Sequence, residues 1–303
     1  MIKTIVTTTI NKPTEALIKF SKMKDWNLVV VGDKKTPHKF YEENKDIIYL
    51  SPSDQEKISK KLSNLIGWNC IQRRNFGFIY AHKMGSDIIA TVDDDNIPSK
   101  DWGKNLMVKK KIKARVFKAN NNVFDPLSIT EHKKQIWHRG FPIEYIKTTK
   151  TKYLGKKDVQ CIVQADLWDG DPDIDAICRI ANSPIVKFKK FIQYTSNNVS
   201  PFNSQNTFID GKYIKFYYMF PHIGRMDDIW GSYYFQEKIK KSVGHIVYAP
   251  ASVYQSRNQH NLTKDLEGEL FGYKYNSEVL KKGVFKFLPK KSLESYKEYL
   301  KLF

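Results

Sequence analysis

Cysteine is scarce in this chain. Cys70, Cys161 and Cys178 are the only three, they stand far apart, and no CxxC pair occurs. An odd, scattered set argues against a disulfide framework and against a cysteine zinc site, and it fits a reducing, cytoplasmic setting. Long apolar runs are missing too: none approaches the roughly 20 residues that a membrane span needs. The opening MIKTIVTTTINKP alternates like a strand, is rich in threonine and lacks the apolar block of a secretory leader. A soluble protein is expected. Acidic residues are in deficit, with 32 Asp and Glu against 51 Lys and Arg, for a formal charge of +19. Nucleic acid, an acidic membrane face or a phosphorylated substrate would suit that surplus. An AT-rich genome also yields Lys-, Asn- and Ile-rich chains with no polymer partner, so charge alone leaves the matter open. Internal repeats and low-complexity linkers are absent as well.

What is present is core-forming material. The 303 residues are 41% hydrophobic and 14% aromatic, enough for one large domain or two small ones. KTIVTTTI (3–10) reads as a strand, and TEALIKFSKM after it has helical spacing. WNLVVVGD (26–33) is a continuous apolar run suited to a strand covered on both faces, and DIIYL (46–50) follows as another. SPSDQEKISKKL (51–62) carries helix-start residues and then lysines, and RRNFGFIYAHKMG (73–85) reads as a helix closed by glycine. DIIATV (87–92) is a strand. This alternation predicts an α/β three-layer sandwich with a mainly parallel central sheet, whose ligands sit at the carboxyl ends of the strands.

Beyond about residue 105 the alternation decays into strands and loops, with a late strand pair over 243–255 and an amphipathic basic helix over 292–303. That tail suits either packing on the domain or a membrane surface. The expected organisation is one domain over 1–275, with a nucleotide-binding half (1–105) and a donor-sugar and acceptor half (106–275), followed by a helical tail over 276–303.

The informative stretch is IIATVDDDN (88–96), where three adjacent carboxylates follow a buried-strand pattern. Mutual repulsion makes such a run costly unless it faces solvent or holds a cation. Mg²⁺ and Mn²⁺ take one or two carboxylates and complete their shell with water and substrate phosphate. Asp93 and Asp95 are two apart and can project to one side, while Asp94 faces another partner. Asp33 follows its own strand and should share the same sheet edge.

At these residues the chain resembles GT-A glycosyltransferases. The blocks WNLVVVGDKKTP (26–37), RRNFGFIYAHKMGSDIIATVDDDN (73–96), RGFP (139–142), DLWDGDPDIDA (166–176) and IGRMDDIW (223–230) are similar, in order, to blocks of two groups. These are the STELLO-type glycosyltransferases and the reversibly glycosylated polypeptides, or UDP-arabinopyranose mutases. QSRNQHNLTKDLEGE (255–269) looks most like the STELLO-type pattern. The resemblance implies a GT-A, Rossmann-like nucleotide-diphospho-sugar transferase fold. It also implies a UDP-sugar donor, with UDP-glucose or UDP-galactose as the guess, and Mn²⁺ or Mg²⁺ as cofactor. The acceptor, whether glycan, protein or modified nucleic acid, stays unknown.

Roles follow residue by residue from the resemblance. Asp95, Asp93 and His260 would hold the metal, with Asp93 shared with the ribose and Asp94 on the nucleotide side. Thr8, Thr9 and Asp33 would meet the base, and Arg74 and Asn75 the ribose or base. Arg257 and Lys264 would neutralise the diphosphate. Asp228 would be the base of an inverting transfer, taking the acceptor hydroxyl's proton, with Asp227 orienting. Asp173 and Asp175 would contact the donor sugar, and Trp168 and Trp230 would stack on sugar faces or pack in the core. Arg139 would bind the diphosphate or donor, carry a sugar, or pair with an acid; a guanidinium is a poor nucleophile at neutral pH, which favours the binding role. Arg74 could equally be an ion-pair residue.

The departures also carry information. Gln255 stands where the mutase group has a histidine, and the membrane anchor of the eukaryotic STELLO-type proteins has no counterpart in these residues. A UDP-sugar mutase is therefore the first alternative. A nucleic-acid-binding or DNA-base-glycosylating protein, suggested by charge, is the second.

Overall fold

The computed structural model describes residues 1–131, 134–182, 185–189, 191–256 and 261–303. The first part of the chain alternates as expected. β1 (Lys3–Thr8) leads to α1 (Glu15–Ser21), β2 (Asn27–Val31), the short α2 (Lys39–Glu42), β3 (Ile48–Leu50), α3 (Pro52–Ile66), α4 (Arg74–Lys83) and β4 (Ile88–Val92). The helix starts have local causes. Thr14 accepts from the Leu17 N–H to cap α1. Ser51 and Asp54 form a capping box at α3, with Pro52 in its first turn. Gly85, at φ 71°, closes the chain after α4.

The second part is less regular. It runs through β5 (Asn96–Pro98), β6 (Lys111–Ala119), β7 (Thr151–Gly170), α5 (Ala176–Asn182), β8 (Tyr194–Ser196), β9 (Asn206–Asp210), α6 (Asp227–Lys238), β10 (His245–Gln255), α7 (Leu262–Lys282) and α8 (Lys290–Leu300).

All the strands join one sheet in the order β3-β2-β1-β4-β9-β7-β6-β8-β10-β5, and β7 also pairs with β10. The expectation of a mainly parallel sheet is corrected here. β1, β2, β3 and β4 are parallel. β9 then runs antiparallel to both β4 and β7, and β6 is antiparallel to β7. Parallel neighbours need a crossover of a dozen or more residues, usually a helix. The early helices supply those crossovers for β1 to β4, whereas further along parallel pairs (β6–β8, β7–β10) mix with antiparallel ones. The expected strand pair over 243–255 is the single strand β10, whose register slips between Ala249 and Val253, around Pro250.

The core lies on both faces of the sheet. Val6, Val29, Val31 and Ile89 face α3 and α4, while Ile5, Leu28, Val30 and Ile88 face α1 and Trp102. Alternate residues of each strand thus enter opposite layers, which is why the sequence shows continuous apolar runs there. The tail helix packs on the domain: Tyr296 and Tyr299 are buried, and both rings meet Tyr218. A boundary between residues 275 and 276 would cut α7, which runs through that point. No helix among the described residues is long and apolar enough to cross a membrane.

Part of the positive charge sits on an exposed ribbon. The β6–β7 register sets Lys118 opposite Lys152 and Arg115 opposite Lys156. Arg115 is relieved by lying over the Phe117 and Tyr153 rings. Lys118 and Lys152 are both exposed. Like charges directly across a sheet are destabilising, and an opposite pair contributes roughly 0.2–1 kcal/mol. Lys152→Glu should therefore raise the urea midpoint at low salt, and the gain should shrink as salt screens the pair. An unchanged or lower midpoint would refute this account of the ribbon.

Candidate functional site

Strand direction gathers the site at one edge of the sheet. β1, β2 and β4 are parallel, so Thr8, Thr9, Asp33 and Asp93–Asp95 emerge together. β9 is antiparallel to β4, so the segment entering it, Asn203–Gln205, meets the same edge. β7 is antiparallel to β9, and β10 is parallel to β7, so the residues after Gly170 and around Gln255 arrive there too. The amino ends of α4 and α6 close the space.

Two adjoining hollows result. The smaller, about 200 Å³, includes Thr8, Thr9, Asp33, Asn69 and Asp94 in its lining. The larger, about 380 Å³, is lined by Asp93, Asp95, Arg139, Asp173, Asp227 and Asp228 among others. Cys70 and Ile71 line both hollows. Burial pushes the Cys70 thiol up to about 11, so it stays protonated and unreactive.

The aspartate triplet divides between them. Asp94 turns toward β1 and accepts from Thr9 Oγ1 at 2.5 Å and Asn11 Nδ2 at 3.0 Å. Its carbonyl accepts from Thr14, the cap of α1. Asp93 and Asp95 face the larger hollow. Asp93 is paired with Arg74, Nη2 to Oδ1 at 2.7 Å. Burial pushes the Asp93 carboxyl up, and the Arg74 charge pulls against it. Asp33 is buried, its two oxygens accepting from the Lys34 and Cys70 N–H groups at 2.6 and 3.0 Å.

On the facing wall Arg139 is the hub. Its Nε and Nη2 donate to the two oxygens of Asp173 at 2.8 and 2.9 Å. Nη1 and Nη2 donate to the two oxygens of Asp228 at 2.9 and 3.1 Å. Nη1 also donates to the Arg225 carbonyl. All five guanidinium N–H groups are thereby engaged. Burial works against the charge, and the two carboxylates overcome it and hold the group protonated. Of the roles weighed for Arg139, the ion pair is the one present; nothing of the fork remains to grip a diphosphate or attack a sugar.

Asp228 is equally committed. It also accepts from the Ser204 N–H at 3.0 Å, the Ser204 hydroxyl at 3.2 Å and the Ile229 N–H at 2.8 Å. A carboxylate has about four lone-pair positions, and five donors converge here. Its neighbour Asp227 accepts from Gln72 Nε2 at 2.8 Å. Burial, then the adjacent Asp228, pushes the Asp227 carboxyl up to about 7.

Several expected contacts are elsewhere. Trp230 is fully buried, donates to Asn276 and packs on Phe271. Trp168 is buried with its ring near His138 and Phe188. Both belong to the core and present no face to the cleft. Asp175 caps α5 by accepting from the Cys178 N–H at 2.8 Å and also accepts from the Trp137 indole, so it serves the fold and not a sugar. Asn75 is buried, makes a reciprocal amide pair with the Met219 backbone at 2.9 and 3.0 Å, and lines neither hollow. Arg74 is buried, bound to Asp93, Thr91 and the Ser204 carbonyl, and lines neither hollow. Lys264 is exposed on the first turn of α7 and lines neither hollow. Arg257 and His260 lie outside the described residues.

Three contributors were not singled out from sequence. Gln72 orients Asp227. Ser204 holds Asp228. Arg225 lines the cleft and pairs with Asp265 and Glu269 on α7 at 3.2 and 3.0 Å. Gln72 adjoins the RRNFG block and Arg225 stands inside IGRMDDIW; only Ser204 lacked a neighbouring motif. Among the described residues, no three His, Cys, Asp or Glu side chains gather in metal-ligating geometry.

The chain is similar to two curated proteins of Arabidopsis thaliana, the probable glycosyltransferases STELLO2 and STELLO1. Each is 24% identical over 190 residues, which is 58% of this chain. The match spans only 24% of each relative's own length. No family model matches the chain. The STELLO-type resemblance read from the motif blocks is therefore also found over the aligned sequence.

Removing one partner of a buried ion pair costs about 3–5 kcal/mol, because the others are left uncompensated. Arg139→Met should lower the unfolding free energy by about that amount. Arg139→Lys should recover little of it, since a point charge cannot serve two forks. Chemical denaturation of both variants measures this, and a loss below about 1 kcal/mol would refute the hub.

Proposed function

We propose that the chain is a glycosyltransferase that moves a sugar from a UDP-sugar to an acceptor hydroxyl in this cleft, within a GT-A-like fold. The observation that carries the reading is the meeting of three features at one edge. They are the Thr8–Asp33 hollow, the Asp93 and Asp95 carboxylates, and the Asp227–Asp228 pair opposite. The similarity to the STELLO proteins supports the same reading. UDP-glucose or UDP-galactose would be the first donors to test.

The uracil and ribose would occupy the smaller hollow, where Asp33 keeps lone-pair capacity for a base N–H. The diphosphate would then extend past Cys70 into the larger one. The donor set fits a hard divalent ion: Asp95, joined by Asp93, supplies oxygen ligands and leaves positions for water and phosphate. When bound, Mn²⁺ or Mg²⁺ would neutralise the departing diphosphate. Arg74 would fix the Asp93 carboxylate, and Thr9 and Asn11 would fix the turn through Asp94.

The base role passes from Asp228 to Asp227. Asp228 is surrounded by donors, whereas Asp227 faces the cleft with a raised pKa. Asp227 would take the proton as the acceptor oxygen bonds to the anomeric carbon, and the bond to the diphosphate would break with its electron pair. Asp228, held by Arg139, would set the position of the first turn of α6.

Calorimetric titration of UDP, with and without Mn²⁺, tests the site. Binding should require the ion and should be lost in Asp95→Ala. No binding in either condition would sink the assignment. With a donor and acceptor in hand, Asp227→Asn should lower kcat by about 10²–10⁴ with UDP binding intact. In the native enzyme the base must be ionised, so turnover should fall as pH drops through about 7. A flat profile from pH 6 to 8 would remove Asp227 from the role.

A further inference from the structure

A third cavity, of about 240 Å³, lies behind the Arg139 segment and takes no part in the site above. Asp125 lines it and is only 5% exposed. Its Oδ1 accepts from the Leu127 and His138 N–H groups at 3.0 and 3.2 Å. Its Oδ2 has no hydrogen-bond partner among the described residues. Trp137, Phe141 and Ile146 contribute apolar wall. Ser128 donates to the Asp125 carbonyl, which leaves its lone pairs available, and the exposed Gln135 brings an amide that has no bond of its own among the described residues.

We propose that this cavity binds a single neutral sugar ring. The chemistry selects that class. A cavity-facing carboxyl oxygen with no partner among the described residues is free to accept from a hydrogen-bond donor, and a sugar hydroxyl is one. Aromatic and aliphatic walls suit the C–H faces of a ring, with a few polar groups to orient it. No Lys, Arg or His is among the described residues that line it, and the Asp125 carboxyl would disfavour a phosphorylated or acidic ligand. An organic cation would have to approach a molecule of formal charge +19. The volume is below the roughly 300–1,000 Å³ of pockets for drug-sized ligands and takes one ring, not an oligosaccharide.

Placement gives the site its use. Trp137 and Phe141 face this cavity, while Arg139 between them faces the cleft. One short segment walls both spaces. Under the transferase reading, on which this last step rests, the cavity holds a sugar of the acceptor near the point of transfer. The binding itself does not depend on that reading.

Saturation-transfer NMR with the methyl glycosides of glucose, galactose, mannose and xylose tests it, with tetramethylammonium as the cationic control. At least one glycoside should bind saturably in the millimolar range, without nucleotide or metal. Ile146→Trp, which fills the cavity from a wall, should abolish the signal and leave UDP binding unchanged. Asp125→Asn, which keeps an acceptor for the two N–H groups, should weaken it by about tenfold. Glycoside binding without any UDP binding would support the cavity while removing the transferase reading. No glycoside binding, equal binding by Ile146→Trp, or a preference for tetramethylammonium would overturn the proposal.

Discussion

The double fork of Arg139 is the joint on which the cleft depends. It ties Asp173, after β7, to Asp228, in the first turn of α6, and reaches the Arg225 carbonyl between them. Ser204 extends the tie to the segment that enters β9. None of these pieces is near another in sequence. Without a buried cation at their meeting point, two carboxylates would face each other across a space poor in water. The guanidinium alone has the planar geometry to satisfy both, so the position of α6, and of Asp227 at its start, follows from one side chain.

The other acids at this edge are handled in different ways, and the differences separate scaffold from chemistry. Asp33 is held by backbone N–H groups, Asp94 by a hydroxyl and an amide, and Asp93 by Arg74. Each device keeps a charge in place and reduces its freedom to react. Asp227 accepts from the neutral Gln72 amide and has a like charge beside it, and burial outweighs the more distant pull of Arg139. A carboxyl held near neutrality in a cleft is poised for proton transfer, whereas one wrapped by an arginine is poised to hold position.

The first half of the fold was legible because its strands are covered on both faces and its helices carry explicit caps. The runs LVVV and IIATV could hardly be other than buried strands, and Ser51-Pro52 with Asp54 marks a helix start. The second half hid its order in pairings between distant segments. Nothing local in KIKARVFKA or NTFID says that one will lie beside β7's first half and the other beside its second. α7 was missed because charged and small residues interrupt its apolar face. The site was legible as motifs, since strand ends bring Asp33, Asp93 and Asp95 together by topology. Which acid would be neutralised by which arginine was not legible. The same limit left Trp168 and Trp230 open between a sugar site and the core, and set Asn75 and Asp175 beside a ligand, because these residue types suit both places equally well.

The charge balance of the cleft runs opposite to that of the molecule. Asp93, Asp95, Asp173, Asp227 and Asp228 line it, and among the described residues the cations lining it are Arg139 and Arg225. Both arginines are already bound to carboxylates. The surface surplus, in contrast, includes lysines that oppose one another across a ribbon. The surface surplus favours anions at long range, while the described acids of the cleft disfavour them at close range. On the proposed reading, a diphosphate would settle among these acids with a cation of its own, which a divalent ion held by Asp95 would supply. The aspartates after β4 and the lysine-rich exterior then belong to one scheme. Under the proposed function, the exterior would raise the local concentration of an anionic donor, and the acids would favour one that comes with metal.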